Sequence, residues 1–181
     1  MKTAQEVGAP AKIIETVVAV NDARKHAMAE KIVAACGGSA AGKTVAVLGL
    51  AFKPNTDDLR EAASLVIVPT LQAAGATVRA HDPQAMHEAE KLMPGAVMCK
   101  SPYEAAEGAD VLVILTEWDA YRALDLGRLK RSLREPVVVD LRNIYRPDEM
   151  AAQGFQYSSI GRPANEPARE VLSPPIKIVR S

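Results

Sequence analysis

Cysteines and aromatic residues are scarce in this chain, and neither sign of charge dominates it. The two cysteines, Cys36 and Cys99, show no metal-ligand spacing and no Cys-x-x-Cys pair. That argues against a zinc module and against a dithiol redox site. So few thiols suit a reducing cytosol, where disulfides do not persist. Aromatics make up 4% of the 181 residues against 48% hydrophobic overall, so the core must be built from Val, Leu, Ile and Ala. Lys plus Arg and Asp plus Glu number 22 each. A general nucleic-acid binder would carry a basic excess, although overall balance still allows one cationic cleft. There is no apolar signal region and no apolar run near the roughly 20 residues of a membrane span. The expectation is a cytoplasmic protein with no membrane or nucleic-acid partner and no metal site.

What is present falls into three zones. Between Pro10 and Gly37-Gly38 lie about 25 residues free of Gly and Pro, enough for one helix of roughly 37 Å. Ile14, Val18, Asn21, Lys25, Met28, Ile32 and Ala35 recur at steps of three or four and share a face. A single helix cannot bury its own stripe, so residues 1–38 read as a helical region that needs a partner, another helix or a second subunit. From residue 43 to 162, apolar runs alternate with helical patterns. Thr44–Leu48, Thr77–His81, Ala96–Met98, Asp110–Leu115, Pro136–Asp140 and Phe155–Ser158 read as strands. Helical patterns fall around Ser64–Ala74, Gln84–Leu92, Ser101 onward, Leu126–Leu133 and Pro147–Gln153. The strands are continuous apolar runs, the mark of parallel strands buried on both faces. The expected fold is α/β: a doubly wound, Rossmann-like parallel sheet of about six strands, ordered 3-2-1-4-5-6, preceded by a long α-helix. Residues 163–181 carry four prolines and read as an extended tail.

In such a sheet a ligand sits beyond the C-terminal strand ends, near the point where strand order reverses. The first loop there, Gly49-Leu50-Ala51-Phe52-Lys53-Pro54, lacks the second and third glycines of a Gly-x-Gly-x-x-Gly turn and is longer than that turn. Ordinary NAD binding in this sheet is therefore not expected. The loop instead offers a cation, Lys53, an apolar ring, Phe52, and polar groups from Asn55 to Arg60. That set suits a phosphate and a stacked sugar or base. It equally suits a mixed-charge surface loop capped by Thr56 or Asp57. Arg142-Asn143 after Asp140 supplies either a second cation reaching the same cleft or an Asp140–Arg142 surface pair. Asp82 is a ribose ligand or, more simply, a turn residue beside Pro83. Trp118 reads as core or interface. Asn21 either sets helix register or reaches toward an active site. His26, His81 and His87 show no metal or triad spacing and read as surface or edge residues, and neither cysteine has an activating cationic neighbourhood.

At this point several motifs converge. Gly49 to Ala62 (GLAFKPNTDDLREA), Gly75-Ala76 with Ala80-His81-Asp82-Pro83, Leu115-Thr116-Glu117-Trp118, Val139-Asp140-Leu141-Arg142-Asn143 and Tyr157 to Arg162 (YSSIGR) resemble, in this order, the C-terminal domain of the UDP-glucose/GDP-mannose dehydrogenases. Val20 to Lys25 (VNDARK) resembles that family's central helix. The Asn55-Thr56-Asp57-Asp58 variant is closest to the UDP-glucose branch. The resemblance implies an NAD-dependent, two-step oxidation of UDP-glucose to UDP-glucuronate through a cysteine thiolate, serving polysaccharide biosynthesis. It implies a UDP-sugar contact at Phe52, Lys53 and Arg142, a cofactor-side role for Arg60, a supporting catalytic role for Asn21 near the reacting carbon, and a homodimer formed through the helix.

Two departures stand out. Leu141 replaces the commoner Gly before Arg142, and Ala62-Ala63 replaces a Pro-containing turn. The family's Gly-Phe-Gly-Gly-x-Cys-x-Pro-Lys-Asp segment is not found, and Cys36, in Ala-Ala-Cys-Gly-Gly, does not correspond to its nucleophile. The expectation is a UDP-sugar-binding part that is catalytically inactive alone, with NAD held mainly by a domain outside this chain. The competing readings are a stand-alone module that binds a nucleotide sugar, and a dimerising remnant that binds nothing.

Overall fold

The computed structural model describes residues 12–164. The expected helix start at Pro10 and the tail beyond residue 164 lie outside them. The first helix, α1, runs Lys12–Ala35. Strands follow at Thr44–Leu48 (β1), Thr77–His81 (β2), Val97–Met98 (β3), Val111–Ile114 (β4), Val137–Asp140 (β5) and Gln156–Ser159 (β6). The connecting helices are Ser64–Ala73 (α2), Met86–Leu92 (α3), Pro102–Ala106 (α4), Asp119–Arg122 (α5), Leu126–Ser132 (α6) and Pro147–Ala152 (α7). All neighbouring strands pair in parallel, in the order β3-β2-β1-β4-β5-β6, as the sequence reading expects.

Every residue of β4 is buried, as are Val45 to Leu48 of β1. Successive strand side chains point to opposite faces, so this pattern means that both faces of the sheet are covered. Helix α1 packs beside α2 and over β4 and β5, while α4 packs on β1 and β2. Only the C-terminal half of α1 is seated, with Ala29 and Ile32 fully buried. Its N-terminal half displays Ile13, Ile14, Val17, Val18 and Val20, of which Ile13 is 82% exposed. The apolar stripe read from the sequence thus divides into a buried half and an unpartnered half. Among the described residues no helix is long and apolar enough to cross a membrane.

The register sets the site. Leu48 lies level with His81 and Ile114, and Ile114 with Asp140. The four strands therefore end on one line, and the residues that follow share one edge. Strand order reverses between β1 and β4, so the switch point falls at Gly49 and Leu115.

Candidate functional site

Gly49 opens the loop after β1 with φ of 91°, and a Cβ there would come within 2.5 Å of Thr116 Cβ and 2.6 Å of its backbone nitrogen. Only glycine tolerates both the conformation and that approach. The loop is then tied down from several directions. Asp82, fully buried, accepts hydrogen bonds through Oδ2 from the N–H groups of Leu50 (2.7 Å) and Ala51 (3.0 Å) and from Trp118 Nε1 (3.2 Å). Through Oδ1 it accepts from Gln84 and Ala85, both at 2.9 Å. Thr116 Oγ1 donates to the Ala51 carbonyl and Ser64 Oγ to the Leu50 carbonyl, each at 2.6 Å. Phe52 N–H donates to the Asp58 carbonyl at 2.9 Å. The loop is preorganised, because each of these carbonyls and N–H groups has a fixed partner.

That bonding also bears on cofactor chemistry. A dinucleotide turn offers free backbone N–H groups to a pyrophosphate. Here the N–H groups of Leu50 and Ala51 are held by Asp82. The turn after β1 does not fit a dinucleotide, and Asp82 is a strut for the loop and for Trp118.

Arg142 is the central side chain. Asp140, fully buried, accepts from its backbone N–H at 2.9 Å, and accepts from Tyr145 N–H at 3.1 Å and Tyr157 Oη at 2.8 Å. The expected surface pair between Asp140 and the Arg142 guanidinium does not form, because the carboxylate is engaged below the surface by these groups. The guanidinium turns the other way along the sheet edge. Its Nε donates to the Leu115 carbonyl at 2.7 Å and lies 2.9 Å from Glu117 Oε2, and its terminal nitrogen donates to the Phe52 carbonyl at 3.1 Å. One side chain thus spans the ends of β5, β4 and β1. Asn143 does not join it. Its amide clamps both the N–H and the carbonyl of Ile160, each at 3.1 Å, so it closes the end of β6.

Between this edge and α1 lies a cleft of about 390 Å³, lined by Asn21, Arg24, Lys25, Phe52, Glu61 and Arg142 among others. That is within the usual size of small-molecule sites. Phe52 is 48% exposed, a large apolar ring left in solvent beside a fixed cation. Of the residues singled out from the sequence, Asn21, Phe52 and Arg142 meet here. Lys53 is exposed and does not line the cleft. Arg60 borders a different surface hollow, where its guanidinium holds Asp58 through two oxygens at 3.0 and 2.8 Å. The hydrogen-bonded guanidinium lowers the Asp58 carboxyl to about 2. The sequence reading missed Arg24 and Glu61. Arg24 is signalled, since it stands one turn from Asn21 on the same helix face. Glu61 is not, because its place depends on a left-handed φ of 60° and on an ion pair with Lys25 at 3.4 Å.

His81 and the two thiols lie outside this chemistry. Tyr121 Oη donates to the His81 carbonyl at 2.8 Å, so His81 Nδ1–H must be the donor in their 3.0 Å contact. His81 is buried, not the edge residue expected, and burial lowers its pKa. Cys36 and Cys99 are buried, burial raises both thiols, and neither lines the cleft.

The family model described as the UDP-glucose/GDP-mannose dehydrogenase family, UDP binding domain, matches residues 46–147. A UDP-glucose 6-dehydrogenase of Rhizobium meliloti is 55% identical over 163 residues, which are 90% of this chain and 37% of that protein. One from Pseudomonas aeruginosa is 44% identical, again over 90% of this chain and 37% of its own length. Among solved structures, an NDP-N-acetyl-D-galactosaminuronic acid dehydrogenase of Methanosarcina mazei Go1 superposes with a TM-score of 0.74 at 32% identity, covering 85% of this chain and 32% of that one. The chain spans a little over a third of the curated relatives it matches.

Proposed function

This chain belongs to the UDP-glucose/GDP-mannose dehydrogenase family, and we propose that its cleft at the strand ends binds the UDP moiety of UDP-glucose. The observation that carries this reading is the Arg142 guanidinium, fixed across three strand ends beside the half-exposed Phe52 ring. A rigid forked cation pairs with a phosphate, and an exposed ring beside it covers a sugar or a base. Lys53, exposed on the same loop, adds a cation that reaches the diphosphate from outside. The relatives named UDP-glucose 6-dehydrogenase support the glucose assignment. The expected oxidation is of UDP-glucose to UDP-glucuronate, within polysaccharide biosynthesis in the cytosol, where two unpaired thiols are stable.

NAD supplies the hydride acceptor in that reaction. The turn after β1 does not fit it, so no cofactor step is assigned to this sheet. We propose a cofactor-side role for Arg60, which borders the separate hollow beside Asp58 and not the cleft itself, and a place for Asn21 near the reacting sugar carbon. Because neither of the chain's two cysteines lines the cleft, the 181-residue chain is expected to form no NADH from UDP-glucose. The exposed Ile13, Ile14, Val17 and Val18 face is assigned to a homodimer, and a strict monomer by light scattering would contradict that part.

Calorimetric titration of the chain with UDP-glucose and GDP-mannose tests the binding reading. Saturable heat with UDP-glucose, and weaker or no heat with GDP-mannose, is expected. Equal binding of both would remove the uridine assignment.

A further inference from the structure

The cleft has a second wall, and its charge balance is informative. Four charged side chains line it: Arg24 and Lys25 from α1, Glu61 from the loop before α2, and Arg142 from the strand edge. Three are already engaged. Arg142 is held by Glu117 and two carbonyls. Lys25 lies 3.4 Å from Glu61 and 3.6 Å from Asp22. Glu61 holds that ion pair from a left-handed backbone with φ of 60°, a conformation a glutamate adopts only when its surroundings impose it. The Lys25–Glu61 contact therefore links the loop before α2 to α1. Arg24 is different, because among the described residues it has no hydrogen bond or ion pair with any side chain. Its place is set by the helix: it is three residues after Asn21 and four before Met28, and all three line the cleft.

We propose that Arg24 is a substrate-contacting residue that pairs with the outer phosphate, the one bearing the sugar, of a nucleoside diphosphate sugar bound in this cleft. The inference rests on the UDP-sugar reading above and assigns a contact to the wall opposite Arg142. Glu61 pairs with Lys25 and Glu117 with Arg142, which leaves Arg24 as the lining cation without a carboxylate partner among the described residues. The pyrophosphate diester of a nucleotide sugar carries two negative charges, and two guanidiniums on facing walls can each pair with one phosphate. Arg142, beside Phe52, takes the inner phosphate, and Arg24 takes the outer.

The test is calorimetry of the 181-residue chain and its Arg24→Ala and Arg24→Lys variants with UDP-glucose, UDP and UMP, with circular dichroism to verify folding. Arg24→Ala is expected to weaken UDP-glucose and UDP by about tenfold, a typical loss for one charge-assisted contact, and to leave UMP unchanged. Arg24→Lys should recover part of the loss. If wild type binds UDP-glucose and Arg24→Ala binds it equally well, the role of Arg24 is overturned while the UDP-sugar reading stands. An equal loss for UMP would overturn the outer-phosphate assignment. No saturable binding of UDP-glucose by wild type would overturn the reading on which the inference rests.

Discussion

The Arg142 guanidinium donates to the Phe52 carbonyl at 3.1 Å, joining residues 90 positions apart in the chain. The contact makes Arg142 both a bridge between strand ends and a fixed charge beside an exposed ring. Lysine cannot hold the Leu115 and Phe52 carbonyls at once from a single ammonium while still facing the cleft. Arg142→Lys is therefore expected to weaken UDP-glucose binding by at least about tenfold in calorimetry, because one charge-assisted contact is worth roughly 1.5 to 3 kcal/mol. Unchanged affinity would show that charge alone suffices.

Asp82 is the strut beneath that loop. Removing its carboxylate leaves five donors without acceptors, four of them buried. Asp82→Ala is expected to destabilise the chain by more than about 3 kcal/mol in urea denaturation, since each orphaned buried donor costs about 1 to 3 kcal/mol. A loss below 1 kcal/mol would mean that the loop has another anchor.

Gly49 and Thr116 make a sharper test. Gly49→Ala is expected to cost about 2 to 4 kcal/mol, combining an unfavourable positive φ with overpacking. Adding Thr116→Gly removes the side-chain clash but leaves the Thr116 backbone nitrogen 2.6 Å from the new Cβ. The double variant should therefore not recover wild-type stability. Full recovery in thermal melts would refute the backbone contact.

The strands were legible because β-branched apolar runs bounded by Gly or Asp admit few other structures. Thr44–Leu48 and Thr77–His81 match their expected bounds residue for residue. Helix α5, Asp119–Arg122, was not anticipated, because four residues are too few to show a period. The site was legible only in part. Phe52 and Arg142 stand on loops that the parallel topology must bring to one edge, so strand order alone placed them. The roles of Asp82 and His81 were not readable, because burial at a strand end depends on what packs there. Trp118 and Tyr121, which follow β4 in the chain, hydrogen-bond to those positions. Arg60 could not be placed from spacing either, since its direction is set by its fork onto Asp58.

His81 makes stability depend on pH in a stated direction. Its folded pKa lies below the ordinary value of 6.5 because burial penalises the charged ring, although Asp82 and Glu104 oppose this. The unfolded state then binds more protons below 6.5, so the contribution of His81 is fully present above that value. It is lost as pH falls from there toward the folded value. Wild type should lose more stability between pH 7.5 and about 5.5 in urea denaturation than His81→Asn, whose amide keeps a donor near Nδ1 but does not titrate. Equal losses would remove His81 as the cause.

The central claim is that a UDP-sugar occupies the cleft between α1 and the strand ends. Amide chemical-shift mapping by NMR on addition of UDP-glucose tests it most directly. Saturable shifts are expected at Asn21, Arg24, Phe52, Leu115 and Arg142, with little change at Lys43 and Arg134 on the opposite edge of the sheet. Shifts confined to other surfaces, or none at millimolar UDP-glucose, would contradict it.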